Sequence, residues 1–473
     1  MISVLVPVAV LLLIILWKKM PKIGGNVQAA LIAAGVLSLL LGGVFQPTAW
    51  VAAFIDGLNR LAWIIFLSLF GSIYAETQSR LGVIDTIMGA LKARFGKHSR
   101  ALVLSIMLVL VLAGSLLGDA IAAGTVVGVL TVGTLASMGL SPELICCIIV
   151  MGASMGSIMP PITQALALSS ALVGTDADPV IRTSYITVSA VVLFVCLYVI
   201  FCYIKKDMRA EKTVEGMDIS RFEGMTAGQI LRSNAKALIP LCVLIVIVIL
   251  RTVKIGGATF DLVPEILKNI RFGTGESAVT LYAWLSSATI LTGMSNGIVL
   301  SLLFVTIIAC CFKTIRSDLG GVVRNGVQKV KNTVGIQICA AFMLGCFYAG
   351  GQIEAVSSFA SGLEPNVLKL GGAAAMMLIG MLTGSQSTAQ NVVFSFFGPA
   401  LVAAGMNATN VAIAGAHIAA AGQGFPPADL TTFVVAGVVG GMLGKKVDPL
   451  KSMIMMIPMC LAFLAVGLLF LYI

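Results

Sequence analysis

The 473-residue sequence predicts an all-α polytopic membrane protein with two inverted-topology repeats. Each repeat is expected to hold a re-entrant helical hairpin and a broken, Gly/Pro-interrupted helix. Three observations carry this expectation. Hydrophobic residues make up 59% of the chain and charged ones 11%, against about 45–50% and about 25% in soluble domains. Apolar runs recur at the length of roughly 20 helical residues that crosses a hydrocarbon core. Finally, the chain resembles itself at a spacing of 266 positions, from Gly139 to Gly405. Thirty basic and twenty acidic side chains cannot cover a soluble protein of this size, and the long apolar runs exclude a fibrous or disordered chain.

Ten apolar segments read as spans: 2–17, 27–44, 61–78, 143–172, 180–204, 237–252, 295–312, 333–350, 407–440 and 450–471. Two of them, 143–172 and 407–440, are long and interrupted by Gly and Pro. Two more, 101–137 and 371–403, carry a polar break and read as hairpins. Ile2–Trp17 lacks a preceding basic region and is followed by Lys18-Lys19, so it reads as a retained span. Segment 278–292 is placed as an external interfacial or re-entrant helix. The methionines near 453–459 are expected to face lipid.

The net charge of +10 raises a nucleic-acid surface, but its distribution excludes one. Segments 18–25, 80–100, 205–236, 313–331 and 445–451 hold 23 of the 30 Lys and Arg residues, and all fall on one side if the N-terminus is outside. That is the positive-inside pattern of a polytopic membrane protein. The ten cysteines are scattered through apolar spans with no metal-ligand spacing and read as small buried residues.

The repeat organises the chain into a first copy at 1–204, a cytoplasmic linker at 205–236 and a second copy at 237–473. Gly156 meets Gly422, Pro160-Pro161 meets Pro426-Pro427, and Gly174 meets Gly440. Upstream, Gly114-Ser115 is matched to Gly384-Ser385 across a four-residue length difference. The broken helix of the first copy ends at the acidic Asp176-Ala177-Asp178, and that of the second at the basic Lys445-Lys446. The copies are therefore expected to be inverted. Inverted repeats with broken helices place transport sites near the bilayer midplane.

Four polar breaks in apolar surroundings are the candidate site. The first hairpin breaks over Ala113–Ala120, with Gly114-Ser115 and Gly118-Asp119, and the second over Thr383–Asn391, with Gly384-Ser385-Gln386-Ser387-Thr388 and Gln390-Asn391; such runs suit a hydrated pocket of hydroxyls and amides. An ionised Asp in the bilayer centre is costly, about 2.5–3.5 kcal/mol by insertion scales, and needs a partner or a wet cavity. Pro160 and Pro426 each remove an amide donor, freeing backbone carbonyls for a hard cation such as sodium (Na+). Half-helix N-termini carry partial positive charge suited to a carboxylate. The substrate contacts are accordingly Ser115, Gly118, Asp119, Thr163, Ser385, Gln386, Ser387, Thr388 and Asp429, with Gln164, Thr431 and Thr432 in the same zone. Sodium is assigned to Gly114, Ser115, Gly156, Pro160, Gly384, Gly422 and Pro426. Asp119 and Asp429 have competing readings as a helix cap and a packing partner. His417, among Ala and Gly, reads as a packing hydrogen bonder before a proton relay, and His98 in Lys97-His98-Ser99-Arg100 as solvated. No phosphate-binding Gly-rich motif and no H-E-x-x-H occurs, and no enzyme activity and no ATP hydrolysis are expected.

At these residues the sequence resembles the large membrane subunit of tripartite ATP-independent periplasmic (TRAP) transporters, within the ion-transporter superfamily of elevator-type carriers. The resemblance rests on the arm Gly82–Lys97, Gly114-Ser115 with Gly118-Asp119-Ala120, Gly156-Ser157-Ile158-Met159-Pro160-Pro161, Gly422-Gln423-Gly424-Phe425-Pro426-Pro427 and Val435-Ala436-Gly437. It implies sodium-coupled import of a small organic anion, typically a carboxylate such as a dicarboxylate, across a bacterial inner membrane by a moving hairpin domain. It also implies a small four-helix membrane subunit and a periplasmic or extracellular substrate-binding protein as partners, unless the chain works alone. The second tip is richer in hydroxyls and amides than the family's apolar-plus-Asp tip. The arms Asp85–Lys97 and Gln352–Leu363 are expected to join the moving domain to a scaffold. The rival readings are a sodium/proton antiporter using Asp119, Asp429 or His417, with H+ as the coupling ion, and a non-transporting membrane partner.

Overall fold

The structure is a computed structural model that describes all of the chain except residues 1, 18–20, 22, 96–97, 205–223, 253–259, 273–278 and 356–363. Most of linker 205–236, most of the arm Gln352–Leu363, the end of the arm at Lys97, and part of 253–293 lie outside the described residues. Helices account for nearly all the rest, as a chain that must satisfy its own backbone polar groups in lipid requires. Five described helices are by themselves long and apolar enough to cross a bilayer: Pro47–Arg80, Ser99–Leu117, Ala177–Tyr203, Asn366–Thr383 and Pro449–Tyr472. The protein is an all-α polytopic membrane protein.

The repeat is visible element by element. In the first copy a helix Ser99–Leu117 turns at Gly118 into Ala120–Ala123, a π-helical turn Gly124–Gly128 and the helix Val129–Ser137. Pro142–Ile158 and Gln164–Leu172 then form the broken helix. In the second copy Pro365–Thr383, Gln386–Ala389, the π-helical turn Gln390–Phe394, Ser395–Ala403, Ala408–Gly424 and Leu430–Leu443 follow in the same order. Each of these begins 266 positions after its counterpart (99 to 365, 120 to 386, 124 to 390, 142 to 408, 164 to 430). The four-residue length difference is therefore absent. Gly384 corresponds to Gly118, and Gly114 to Gly380. The sequence match went astray because both Gly114-Ser115 and Gly384-Ser385 are Gly-Ser pairs near a tip.

The caps explain where the two broken helices begin. Ser141 and Asn407 sit one residue before the two broken helices and accept from the N–H groups of Leu144 and Asn410 at 3.3 and 3.2 Å. These side-chain acceptors satisfy amides that have no intrahelical partner.

The long helices Pro47–Arg80 and Leu319–Ala349 show that the copies are inverted. Gly57 packs on the backbone of Ala341, and Gly345 on that of Ala53. Further along, Ser72 Oγ donates to Gly326 O at 2.7 Å and Lys329 Nζ reaches Glu76 at 2.6 Å. As residue numbers rise on one helix they fall on the other, so these equivalent helices run antiparallel. Small residues permit the close approach that drives helix association in lipid.

Basic segments gather at one end of this bundle. Arg80 pairs with Asp318 at 2.7 Å. Asn234 Nδ2 donates to Thr86 Oγ1 at 2.7 Å, and Arg100 Nε to Ile204 O at 3.3 Å. Tyr203 donates to Met455 O, and Ser452 to Glu143 O. The described residues of 80–100, 224–236, 313–331 and 445–451 therefore gather at one end.

Two local expectations need correction. Segment 278–292 is not one helix: a short strand pair (Arg271–Phe272 with Val279–Thr280) leads into Leu281–Ser287 and a 3-10 turn Leu291–Ser295. That turn is held against the long first-copy helix, where Ile290 N–H donates to Asn59 Oδ1 and Gly293 lies on Ala62 and Trp63. The methionines near 453–459 do not all face lipid, because Met453, Met456 and Met459 are buried while Ile454 is exposed. Their unbranched chains fill the irregular space beside the glycine-rich broken helices.

Candidate functional site

Each hairpin tip is closed by a glycine in the left-handed region, Gly118 at φ 65° and Gly384 at φ 62°. Their N–H groups return to Gly114 O and Gly380 O, each at 2.7 Å. This is the left-handed helix cap that glycine adopts without steric penalty. The next residue starts a new helix: Asp119 Oδ1 accepts from Ala122 N–H at 2.7 Å, and Ser385 Oγ from Thr388 N–H at 3.3 Å.

The breaks are built the same way. Pro160-Pro161 and Pro426-Pro427, both with a cis bond, interrupt the broken helices. Thr163 caps the continuation by accepting from Leu166 N–H at 3.4 Å. Asp429 accepts from the N–H groups of Thr431 and Thr432 at 3.2 and 3.1 Å, and from the Thr432 hydroxyl.

Tip and break pack against one another in each copy. Gly118 rests on Ile162 O and Gly384 on Ala428 O, and Ile162 and Ala428 are themselves equivalent. Ser115 Oγ donates to Pro160 O at 2.7 Å. Each copy thus forms one module with one carboxylate and one hydroxyl as caps. In the first, the tip carries the acid (Asp119) and the break the hydroxyl (Thr163). In the second, the tip carries the hydroxyl (Ser385) and the break the acid (Asp429).

The two modules meet around one cavity of about 90 Å³, bounded by both tips and by the second half of each broken helix. One water occupies roughly 10–15 Å³ on a comparable measure, so the space takes more than a bare ion. Bonds cross between copies here. Gln386 Nε2 reaches Ser157 Oγ at 3.4 Å, and Gln390 Nε2 donates to Ala165 O and Ser169 Oγ at 2.7 Å each. Gln337, from the long second-copy helix, donates to Ser68 Oγ at 2.8 Å and Gln164 Oε1 at 3.4 Å. Among the described residues of this wall Asp119 is the only charged side chain, and amides dominate the rest.

Of the candidates, Gly118, Asp119, Ser385, Gln386 and Ser387 line the cavity, together with Gln164 and Thr431. Ser115, Thr163, Thr388 and Asp429 do not; they are buried, Ser115 as a tip-to-break tie, Thr163 and Asp429 as caps, and Thr388 as a donor to the cap Ser385. Gly114 with Gly156, and Gly380 with Gly422, form close helix crossings, so Gly114, Gly156 and Gly422 act as spacers away from the wall. Pro160 offers its carbonyl to Ser115, and Gly384 offers its own to Leu430 N–H at 3.5 Å; Pro426 stands at the second break. His417 is fully buried, with Nδ1 2.8 Å from Ile413 O and Nε2 3.0 Å from Thr187 Oγ1, outside the cavity. No group of three His, Cys, Asp or Glu is assembled for a metal among the described residues.

No protein-family model matches the sequence, and no curated protein sequence does. The fold does resemble solved structures. It superposes on the YdaH transporter of Alcanivorax borkumensis with a TM-score of 0.57 over 90% of this chain and 86% of that one, at 14% identity. Against MtrF of Neisseria gonorrhoeae, described as illuminating a class of antimetabolite efflux pumps, the TM-score is 0.58 over 92% and 84%, at 15% identity. The fold is that of known membrane transporters. At these identities the likeness extends to architecture and stops short of the TRAP large subunit, substrate or coupling ion.

Two wall residues lie outside the polar runs read from the sequence, Gln337 and Gln423, whereas Gln390 and Asn391 close the run Thr383–Asn391. Gln423 bridges tip and break, accepting from Gln386 N–H at 3.2 Å and donating to Thr431 Oγ1 at 3.3 Å. Its signal was its place in Gly422-Gln423-Gly424, between two glycines of the break. That of Gln337 was a lone amide in Val334-Gly335-Ile336-Gln337-Ile338.

Proposed function

We propose that the protein is a sodium-coupled secondary transporter that moves a small organic anion, a carboxylate, by an elevator motion of its two hairpins and broken helices. The observation that carries this reading is the meeting of both tips and both breaks at one cavity. Asp119, Ser385 and Ser387 bring one carboxylate and two hydroxyls to it, oxygen donors that suit a monovalent hard cation. The helix starts at Gln164 and Gln386 are capped by neutral hydroxyls, so their amide ends retain partial positive charge for a substrate carboxylate. The arm helix Val83–Phe95 runs between the long helix and the first hairpin, in the position of a link between scaffold and moving parts.

Import across a bacterial inner membrane follows the family resemblance; export, the direction described for the Neisseria protein, is the alternative. A four-helix subunit and a binding protein remain proposed partners of the tripartite arrangement. Sodium/proton antiport is the second reading, favoured by Asp119 standing as the one charged wall residue. A bare ion, however, has no use for a wall of amides.

Thermal melting of the purified chain against a carboxylate panel, in sodium and in potassium, tests the reading. A ligand that binds the folded state raises its stability with concentration. Stabilisation by at least one carboxylate in sodium only is expected. Stabilisation by sodium alone, with none by any carboxylate, contradicts the substrate assignment and favours antiport.

A further inference from the structure

Three side-chain amides on the cavity wall keep a polar atom buried and without a partner among the described residues: Gln337 Oε1, Gln390 Oε1 and Asn391 Nδ2. Gln390 and Asn391 are fully buried, and Gln337 is 5% exposed. Leaving such an atom unpaired is costly, and buried polar groups are otherwise almost always bonded. All three residues line the wall of the same cavity. Gln337 bonds Gln164 and Gln390 bonds the adjacent Ala165, while Asn391 follows Gln390 on the π-helical turn. π-helical turns inside helices recur at functional sites.

The pseudo-symmetry sharpens the point. What the copies share is backbone: the tip glycines, the caps and the prolines. The equivalents of Gln390 and Asn391, 266 positions earlier, are Gly124 and Thr125. The first has no side chain beyond hydrogen, and neither is an amide. The amide cluster therefore belongs to the second copy alone, and it serves something asymmetric rather than the duplicated cation chemistry.

Resting on the transport reading above, we propose that Gln337, Gln390 and Asn391 form a neutral subsite for a carboxamide or ureido group carried by the substrate acid. Two orphan carbonyl oxygens and one orphan N–H₂ ask for two N–H donors and one acceptor on the ligand. A primary carboxamide or a ureido group offers that set. A carboxylate offers acceptors only and would face two carbonyl oxygens; an alkyl group would leave all three atoms unpaired.

Titration calorimetry on the purified full chain in sodium, with succinamate against succinate and with ureidopropionate against glutarate, tests the subsite. The amide-bearing acid is expected to bind about tenfold more tightly, which is about 1.4 kcal/mol. Asn391→Leu, close in shape and lacking the donor, is expected to erase that preference while its melting temperature and its response to sodium stay near those of the parent. Equal binding of amide and diacid means the amides hold only water and overturns the subsite, leaving the transport reading intact. A preference that survives in both Asn391→Leu and Gln337→Met also overturns it. No binding of any acid overturns both the subsite and the substrate half of the transport reading.

Discussion

Gly384 lies so close beneath the Ala428 carbonyl that a β-carbon on it has no room, whereas the equivalent Gly118 leaves 3.0 Å to Ile162 O. Both glycines hold a left-handed conformation that costs an L-residue about 1–2 kcal/mol. Gly118→Ala is expected to lose stability by about that amount. Gly384→Ala loses more, because the tip must also move away from its break. Melting curves of the two variants check the order, and equal losses would contradict it.

Asp119 and Asp429 look alike in sequence and differ in place. Asp429 is a buried cap with three donors, and Asp119 a cap that also faces the cavity. Asp429→Ala should lower stability by about 1–3 kcal/mol through loss of the cap and its buried bonds. Asp119→Asn keeps a good cap and should melt within about 0.5 kcal/mol of the parent while losing sodium-dependent ligand binding. Unfolding and binding measured on the same preparations separate the two roles.

His417 is tied at both ring nitrogens and stacks edge-on with Phe463 at 5.9 Å. His417→Gln is expected to lower the melting temperature through packing and to leave the pH dependence of any sodium flux unchanged. A flattened pH profile would instead mark a proton carrier.

Glu76 fastens the two long helices at the basic end, accepting from Lys329, Arg80 and Asn325 at 2.6, 3.0 and 3.3 Å. Its first-copy partner Arg80 reaches on to Asp318 and holds that carboxyl below its usual pKa, with the Gly321 N–H assisting. A depressed carboxyl contributes stability above its unfolded pKa and loses it as pH falls through the folded one. Arg80→Met should therefore narrow the difference in melting temperature between pH 7 and pH 3. Glu76→Gln should melt lower by about 1 kcal/mol and show less response to salt.

Much of this was legible in the sequence. Span positions, both hairpins and both proline breaks follow from hydropathy and from Gly and Pro, because lipid leaves the backbone few options. Gly118, Asp119 and the Ser385–Ser387 stretch were legible as cavity-lining residues because polar groups have little other use there. Register was not: only the positive φ at Gly118 and Gly384 distinguishes the tip glycine from Gly114. Nor was Gln337, since one amide in an apolar helix reads as a packing contact until its neighbours are known. Thr163 and Asp429 were misplaced for the opposite reason, as polar residues at a break serve the backbone as readily as a ligand.

The central claim is that the cavity between the tips carries solute with sodium, and flux into proteoliposomes tests it most directly. The load is a labelled mixture of four- to six-carbon carboxylates and their amides, presented with and without an inward sodium gradient. Uptake above that of empty liposomes, dependent on the gradient and lost in Asp119→Asn and in Gly384→Ala, is the predicted result. No gradient-dependent uptake of any acid, or uptake indifferent to both substitutions, would contradict it.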